Sequence, residues 1–388
     1  MIERARCSVA AAAAAFSLLP LFATVVATRA AAQGTISDGN VVYTIHSLPP
    51  SPTSFAGTMD FSASTTNQLY QNLWFYRLDG DAREATFSNA SQQIVQTFTG
   101  RTAKLRWPNL DNRGIEAELA LFVYSTGTRS GVLVQRMTVV NRNSTARTVN
   151  LFAYADVDVC NTFTNSTLAT STNDRHVLTD TCSDTVEFVC TAHDRYEITG
   201  YSTLRTRLTN AVVDDLGDFG LPFGPGDYTG AFQWKDRVLE PNQSLTVTVA
   251  LAHNQTNVCT SSAAVETYGV AQAGSGGPTT LSSSLPFLGS DVDFELRNGA
   301  PGASPILLLG VGRRNLPIPG IGTLWLDPLI TFAMPTFDAT GASAFQLPIP
   351  PRPVLCGFVC HWQAVHVDAT TPSGLAHTGG LEWSIGGL

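Results

Sequence analysis

Residues 244–251 set the pattern for most of the chain. Leu245, Val247 and Val249 alternate with Thr246 and Thr248, so an extended strand there has one apolar and one polar face. Similar short runs, rich in Val, Thr, Phe, Tyr and Leu and closed by Gly, Asn, Asp or Pro, recur along the sequence. They predict strands at 41–46, 68–78, 94–98, 115–124, 132–140, 148–159, 185–190, 196–208 and 228–234. Only 262–273 suggests a helix, and Gly269 with its β-branched neighbours makes it a poor one. Asp79-Gly80-Asp81 predicts a hairpin turn, with Gly80 supplying positive φ. Asn141–Ser144 and Glu240–Gln243 predict two further hairpins. Evenly spaced strands with polar turns predict an all-β chain built on antiparallel sandwiches.

Two stretches break the pattern. Arg4 and Arg6 precede an apolar run from Val9 to about Ala27, which ends in Ala30-Ala31-Ala32-Gln33. This order predicts a secretory signal peptide over 1–32, cleaved after Ala32. No later segment approaches the ~18 apolar residues of a membrane-spanning helix, so no transmembrane segment is expected after cleavage. The second break is 271–284, a Gly/Ser/Thr-rich stretch that predicts a linker. It divides a large β-sandwich domain at 33–270 from a smaller C-terminal β-domain at 285–388, where Leu316–Gly320 and Leu347–Pro353 are Pro-rich edges or crossovers.

Composition narrows the function classes. At 44% hydrophobic and 14% charged, the chain is too apolar for intrinsic disorder. It carries 31 acidic and 23 basic residues and only two lysines, Lys104 and Lys235, which argues against a nucleic-acid partner. Cys7 leaves with the signal peptide, and the six remaining cysteines in an exported chain point to disulfides. Cys160, Cys182, Cys190 and Cys259 are the candidates in the large domain. Cys356 and Cys360 fall on a predicted strand over 355–367, where their Cα atoms stand about 13 Å apart, on a rise of ~3.3 Å per residue. A disulfide needs roughly 4.4–6.8 Å. On that strand each pairs elsewhere or packs as a thiol. The competing picture is a tight turn at Gly357-Phe358-Val359 that closes a local Cys356–Cys360 ring, which Gly357 permits and Phe358 and Val359 disfavour.

Two resemblances add to this reading. Arg136–Ser144, Val149–Asp158 and Trp234–Ser244 are strand–turn–strand signatures. Through them, the region from Gln68 to about Asn254 resembles the β-supersandwich domains of mutarotase-like and polysaccharide-active proteins. The resemblance implies architecture and carries no catalytic residue across. Residues 287–388 resemble a short β-rich module found at the C-terminal ends of dissimilar exported bacterial proteins. The residues that carry it are Thr323–Pro328, Leu347–Pro350, Gly357, Gln363–Asp368 and Leu381–Gly386. That module implies a handling role such as surface retention or assembly.

The search for chemistry is mostly negative. There is no Gly-x-Ser-x-Gly elbow, His-Glu-x-x-His or P-loop. His193-Asp194 and Asp174 with His176 have triad residue types but read as surface positions. Cys356, Cys360, His361 and His366 approximate zinc spacing, yet neighbours on a strand point to opposite faces. No cofactor is expected beyond a structural calcium ion. Its candidate oxygen ligands are Asp156 with Asp158, and the loop acids Asp214, Asp215 and Asp218. Glycoside hydrolysis needs two carboxylates across a cleft, and Glu84, Glu116, Glu118, Glu187, Asp156 and Asp158 are available. Tyr70, Trp74 and Tyr76 share one face of the 68–78 strand and form either a sugar-stacking platform or sandwich core. The sequence thus predicts an exported, disulfide-containing, non-enzymatic protein with a structural, surface-associated or ligand-binding role, its partner a glycan or cell-surface component. A polysaccharide-active enzyme or carbohydrate-binding protein is the alternative.

Overall fold

The fold is taken from a computed structural model that describes residues 34–45, 57–61, 67–90, 95–163, 171–190, 192–254, 258–350 and 352–387. The expected signal peptide lies outside the described residues. Strands β1 (Gly34–Asp38), β2 (Val41–Ile45) and β3 (Gly57–Phe61) form a small antiparallel sheet. Next come β4 (Gln71–Leu78), β5 (Ala85–Thr86), β6 (Val95–Thr99), β7 (Thr102–Trp107), β8 (Ile115–Gly127) and β9 (Ser130–Asn141). They are followed by β10 (Arg147–Asp156), β11 (Arg175–Thr179), β12 (Thr185–Val189) and β13 (Arg195–Gly200), helix α1 (Thr203–Thr209), β14 (Tyr228–Leu239) and β15 (Ser244–His253).

Two sheets built from these strands face each other. One has the order β13-β14-β10-β4-β5, the other β11-β12-β15-β9-β8-β7-β6. Trp74, Tyr76, Leu151, Leu119, Met137 and Val249 belong to one buried core. This is the all-β antiparallel sandwich that the alternating pattern predicts. Along β15 the alternation holds through Val249, after which both faces are buried. Ala250 and Ala252 pack in a second cluster with Phe122, Val258 and Phe287, so the outer face of the sheet is covered at that end.

Two expected hairpins are instead crossings between the sheets. Asn141–Ser144 leads from β9 to β10, and Glu240–Gln243 leads from β14 to β15. The apolar faces of consecutive strands are buried across the sandwich, which a hairpin within one sheet would not achieve. Asn141 holds the two crossings together, its Nδ2 donating to the carbonyls of Leu239 and Thr145, each at 2.8 Å. The expected strand at 196–208 also divides. It stops at Gly200, Ser202 takes φ +72°, and α1 follows. Leu204 and Leu208, four residues apart, form the buried stripe of that helix.

The C-terminal strands are β16 (Ala264–Tyr268), β17 (Ala273–Gly274), β18 (Gly277–Pro278), β19 (Thr280–Ser283), β20 (Asp291–Arg297) and β21 (Ile306–Ile318). They continue with β22 (Gly322–Ala333), β23 (Ser343–Pro348), β24 (Val359–Val367), β25 (Leu375–His377) and β26 (Gly380–Ser384). The sheet β16-β26-β24-β21-β22 and the sheet β19-β20-β23 share a core that contains Phe294, Trp362 and Trp383. The expected helix at 262–273 is therefore strand β16 and its following turn. The expected linker is itself structured, since 271–284 contains β17, β18 and β19. Its small residues reflect close approach. A Cβ on Gly274 would lie 2.3 Å from Asp368 Oδ2, the same oxygen that accepts from Ser275 N at 2.7 Å. The second sandwich begins before this stretch, because β16 pairs with β26 near the end of the chain.

Two disulfides, Cys160–Cys182 and Cys259–Cys356, are formed. Cys190, expected among the bonded cysteines, is a buried free thiol, as is Cys360. Cys356 and Cys360 are not bonded to each other. The strand expected from 355 starts only at Val359, after a 3-10 turn over Pro353–Leu355 and Gly357 at φ +72°.

Candidate functional site

The sandwich separates the three aromatic candidates. Trp74 and Tyr76 lie in the gap between the sheets, each 1% exposed. Trp74 stacks on Trp234 with ring centroids 5.9 Å apart, and its Nε1 donates to Gln135 Oε1 of the opposite sheet at 3.0 Å. Tyr70, just before β4, is 50% exposed.

Most acid candidates are neutralised by cations. Glu84 is bonded to Arg77, Glu116 to Arg106 and Arg142, and Glu187 to Arg175. The expected calcium acids are taken up in the same way. Asp214 accepts from Arg207 and Asn210; Asp215 from Arg77 at 2.7 Å and Lys235 at 2.6 Å; Asp218 from Arg195 at 3.0 Å. Against the upward push of burial, Lys235 and Arg77, helped by Gln233, hold the Asp215 carboxyl well below the usual carboxylate range. Among the described residues, the three do not converge on a common point. The zinc-like set is likewise dispersed. Cys356 is in a disulfide, His366 Nε2 bonds Thr279, and His361 Nδ1 lies 3.4 Å from Glu382.

Carboxylates do converge at one end of the five-stranded sheet. Asp156 is the last residue of β10 and stands opposite Gln71 of β4 and Thr229 of β14. Asp158 follows two residues later, and Asp227 immediately precedes β14. Antiparallel pairing brings these chain-distant ends to one edge. Backbone bonds of 2.9 Å anchor the flanking tyrosines, from Tyr70 N to Asp156 O and from Tyr201 N to Asp227 O. The rings of Tyr70 and Tyr201 meet edge to face at 6.0 Å. With Phe163 they line a cleft of about 330 Å³ above Asp156, Asp158 and Asp227. Arg205 on α1 donates to Tyr201 Oη at 3.2 Å.

One carboxylate oxygen of each aspartate lies within 4.8 Å of the others. Burial, then the charges of Asp158 and Asp227, push Asp156 up to about 8, against smaller opposing pulls from Arg205 and the Tyr154 hydroxyl. Burial and Asp227 push Asp158 up to about 6, and burial raises Asp227. Like charges this close cannot all ionise freely without a compensating cation. Asp156 is 1% exposed, and neither of its oxygens has a hydrogen bond of ordinary length to a described residue. The Tyr154 hydroxyl, on the same strand face two residues earlier, is also buried and without such a partner. A second cavity of about 450 Å³ lies against Tyr76, Asp81, Asp111 and Arg113. There Asp81 is paired with Arg113 and Asp111 accepts from Tyr76.

Asp156 and Asp158 are legible as acid candidates in the sequence. Asp227, Tyr201 and Phe163 are not, because only strand order brings them to Asp156.

No family model matches the sequence, and a search of the curated proteins finds no relative. Three solved structures show similarity to part of this chain, each at 11% identity. A bacterial glucoamylase complexed with acarbose has a TM-score of 0.40 over 59% of this chain and 34% of its own. A polysaccharide lyase has a TM-score of 0.32 over 91% of this chain and 47% of its own. An aldose 1-epimerase-like protein from Escherichia coli K12 has a TM-score of 0.34 over 58% of this chain and 99% of its own. The chain thus spans about a third of the glucoamylase and about half of the lyase.

Proposed function

We propose that the chain is an exported saccharide-binding protein and that the cleft at the end of the five-stranded sheet is its binding site. One observation carries this reading: two exposed tyrosines, Tyr70 and Tyr201, flank a group of carboxylates with hydrogen-bonding capacity to spare. Aromatic ring faces are negative and attract the C–H-rich faces of sugar rings. Carboxylates accept strong, directional bonds from hydroxyl groups. A concave site with aromatic walls and a few convergent polar groups is the usual form of a small-ligand site. Export accords with the two disulfides, which persist in oxidising compartments. The C-terminal sandwich then serves attachment or assembly.

The test is a glycan panel screened with the mature chain, followed by titration of any hit against Tyr70→Ala and Tyr201→Ala. Each substitution is expected to weaken binding by roughly tenfold or more, the effect of losing one well-placed aromatic contact. Binding that survives both substitutions, or no binding to any glycan, overturns the reading. Release of new reducing ends from a bound glycan would replace it with hydrolysis by the carboxylates of the cleft.

A further inference from the structure

We propose that Asp156, Asp158 and Asp227 form a binding site for a divalent cation of the calcium type. Three observations meet here. First, one oxygen from each side chain lies within 4.8 Å of the other two. With calcium–oxygen bonds of about 2.3–2.6 Å, small side-chain rotations suffice to bring all three oxygens onto a single ion. Second, among the described residues no ion pair neutralises any of the three, although most other acids of this sandwich have an Arg or Lys within 4.0 Å. Arg205 donates to the Tyr201 hydroxyl at 3.2 Å instead. Third, Asp156 is 1% exposed, and neither its oxygens nor the buried Tyr154 hydroxyl that faces it makes a hydrogen bond of ordinary length among the described residues. A buried polar group without a partner costs about 1–3 kcal/mol, and more when it is charged. A cation supplies the missing partner for all of these oxygens together.

The donor set selects the type of ion. Every donor is a hard oxygen, with no thiolate or imidazole to favour zinc or copper. Asp158 and Asp227 are only half-buried, which leaves room for water in the six to eight positions that calcium fills. Magnesium demands a tighter octahedron at about 2.0–2.1 Å and releases its own waters reluctantly. The cation site concerns the same cleft as the glycan reading and does not depend on it.

The experiment uses the mature chain stripped with chelator and titrated with calcium chloride alone, read by calorimetry and by thermal melting. One binding event per chain and a rise in Tm with calcium concentration are expected, since a ligand bound only by the native state stabilises it. Asp158→Asn and Asp227→Asn are each expected to weaken calcium binding by roughly tenfold or more, as one ligand charge is lost. Both should melt no lower than wild type in chelator, because each removes a repelling charge from the cluster. Asp291→Asn, an exposed acid away from the cleft, should leave the titration unchanged. No heat and no Tm shift in wild type overturns the proposal. So does a shift that persists in both cleft variants, and an equal response to magnesium overturns the calcium type. A glycan-binding failure with calcium binding intact would sink only the previous reading.

Discussion

His176 shows at the residue scale how burial changes what a side chain can do. It faces Phe232, Phe188 and Tyr196, and its Nδ1 bonds Tyr228 Oη at 2.8 Å. Burial, with a smaller contribution from His193, lowers its pKa from 6.5 to about 3, against weak opposing pulls from the backbone of Asn173 and the charge of Asp174. In the unfolded chain the ring titrates near its usual value. Below about pH 6.5 the unfolded state therefore takes up a proton that the native state refuses. The stability tied to this group is complete above that pH and declines as pH falls toward about 3, at about 1.4 kcal/mol per pH unit. Urea unfolding between pH 7 and pH 4 should show this slope, and His176→Phe should lower it by about one proton. An unchanged slope would mean that the ring titrates normally in the native state. Trp74 and Tyr70 make the same point for binding. They belong to the same aromatic series in the sequence, yet one is core and the other is cleft wall.

Among the elements, the segment from Cys259 to Cys356 departs most from the sequence reading. Gly, Ser and Thr in 271–284 have the composition of a tether, but here they permit β17, β18 and β19 to pack tightly against neighbouring backbone. Composition reports low side-chain bulk, and low bulk serves flexibility and close approach equally well. The Cys259–Cys356 disulfide closes a loop with a sequence separation of 97 and joins the start of the second sandwich to the turn before β24. Closing so long a loop restricts the unfolded chain strongly. The paired change Cys259→Ser/Cys356→Ser is expected to cost about 2–5 kcal/mol in denaturant unfolding. A loss below about 1 kcal/mol would show that β16 and β26 hold this region without it. Helix α1 is ambiguous in sequence for a related reason. In Leu204-Arg205-Thr206-Arg207-Leu208 the two leucines fit a strand face at i, i+4 as well as a helix stripe. The positive φ at Ser202 and the sheet that receives both leucines decide for the helix.

At the scale of the whole molecule, the contact between the two sandwiches is specific. Phe287, from the connection before β20, is 3% exposed and lies in one cluster with Phe122, Val132, Val134 and Ala252 of the larger sandwich. The Arg136 guanidinium of β9 sits over its ring, 3.1 Å from the centroid, and burial pulls that guanidinium down to about 9. Removing the ring leaves a cavity and an exposed arginine stem, at a typical cost of about 3–5 kcal/mol for a buried Phe. Phe287→Ala should therefore separate the thermal unfolding of the two sandwiches, giving two transitions by calorimetry where wild type gives one. A single unshifted transition would show that the junction contributes little.

The alternation of apolar and polar residues was sufficient by itself to specify an all-β antiparallel molecule, because strand periodicity is local and depends only on neighbours in sequence. The acidic character at Asp156 and Asp158 is likewise a property of the sequence alone. Cys356 and Cys360 are not bonded to each other, as expected, but for a different reason, since Cys356 lies before β24 and is bonded to Cys259. Tertiary structure decided what depends on which distant strands pair. It placed Asn141–Ser144 and Glu240–Gln243 as crossings, joined β16 to β26, matched Cys259 with Cys356 and left Cys190 free. It also set Asp227 and Tyr201 beside Asp156, while Arg and Lys partners claimed Asp214, Asp215 and Asp218. The physical reason is the same in each case. A cleft is made by chain ends that strand order brings together, and the charge on an acid is answered by whichever cation the fold puts within about 4 Å. No local pattern encodes either.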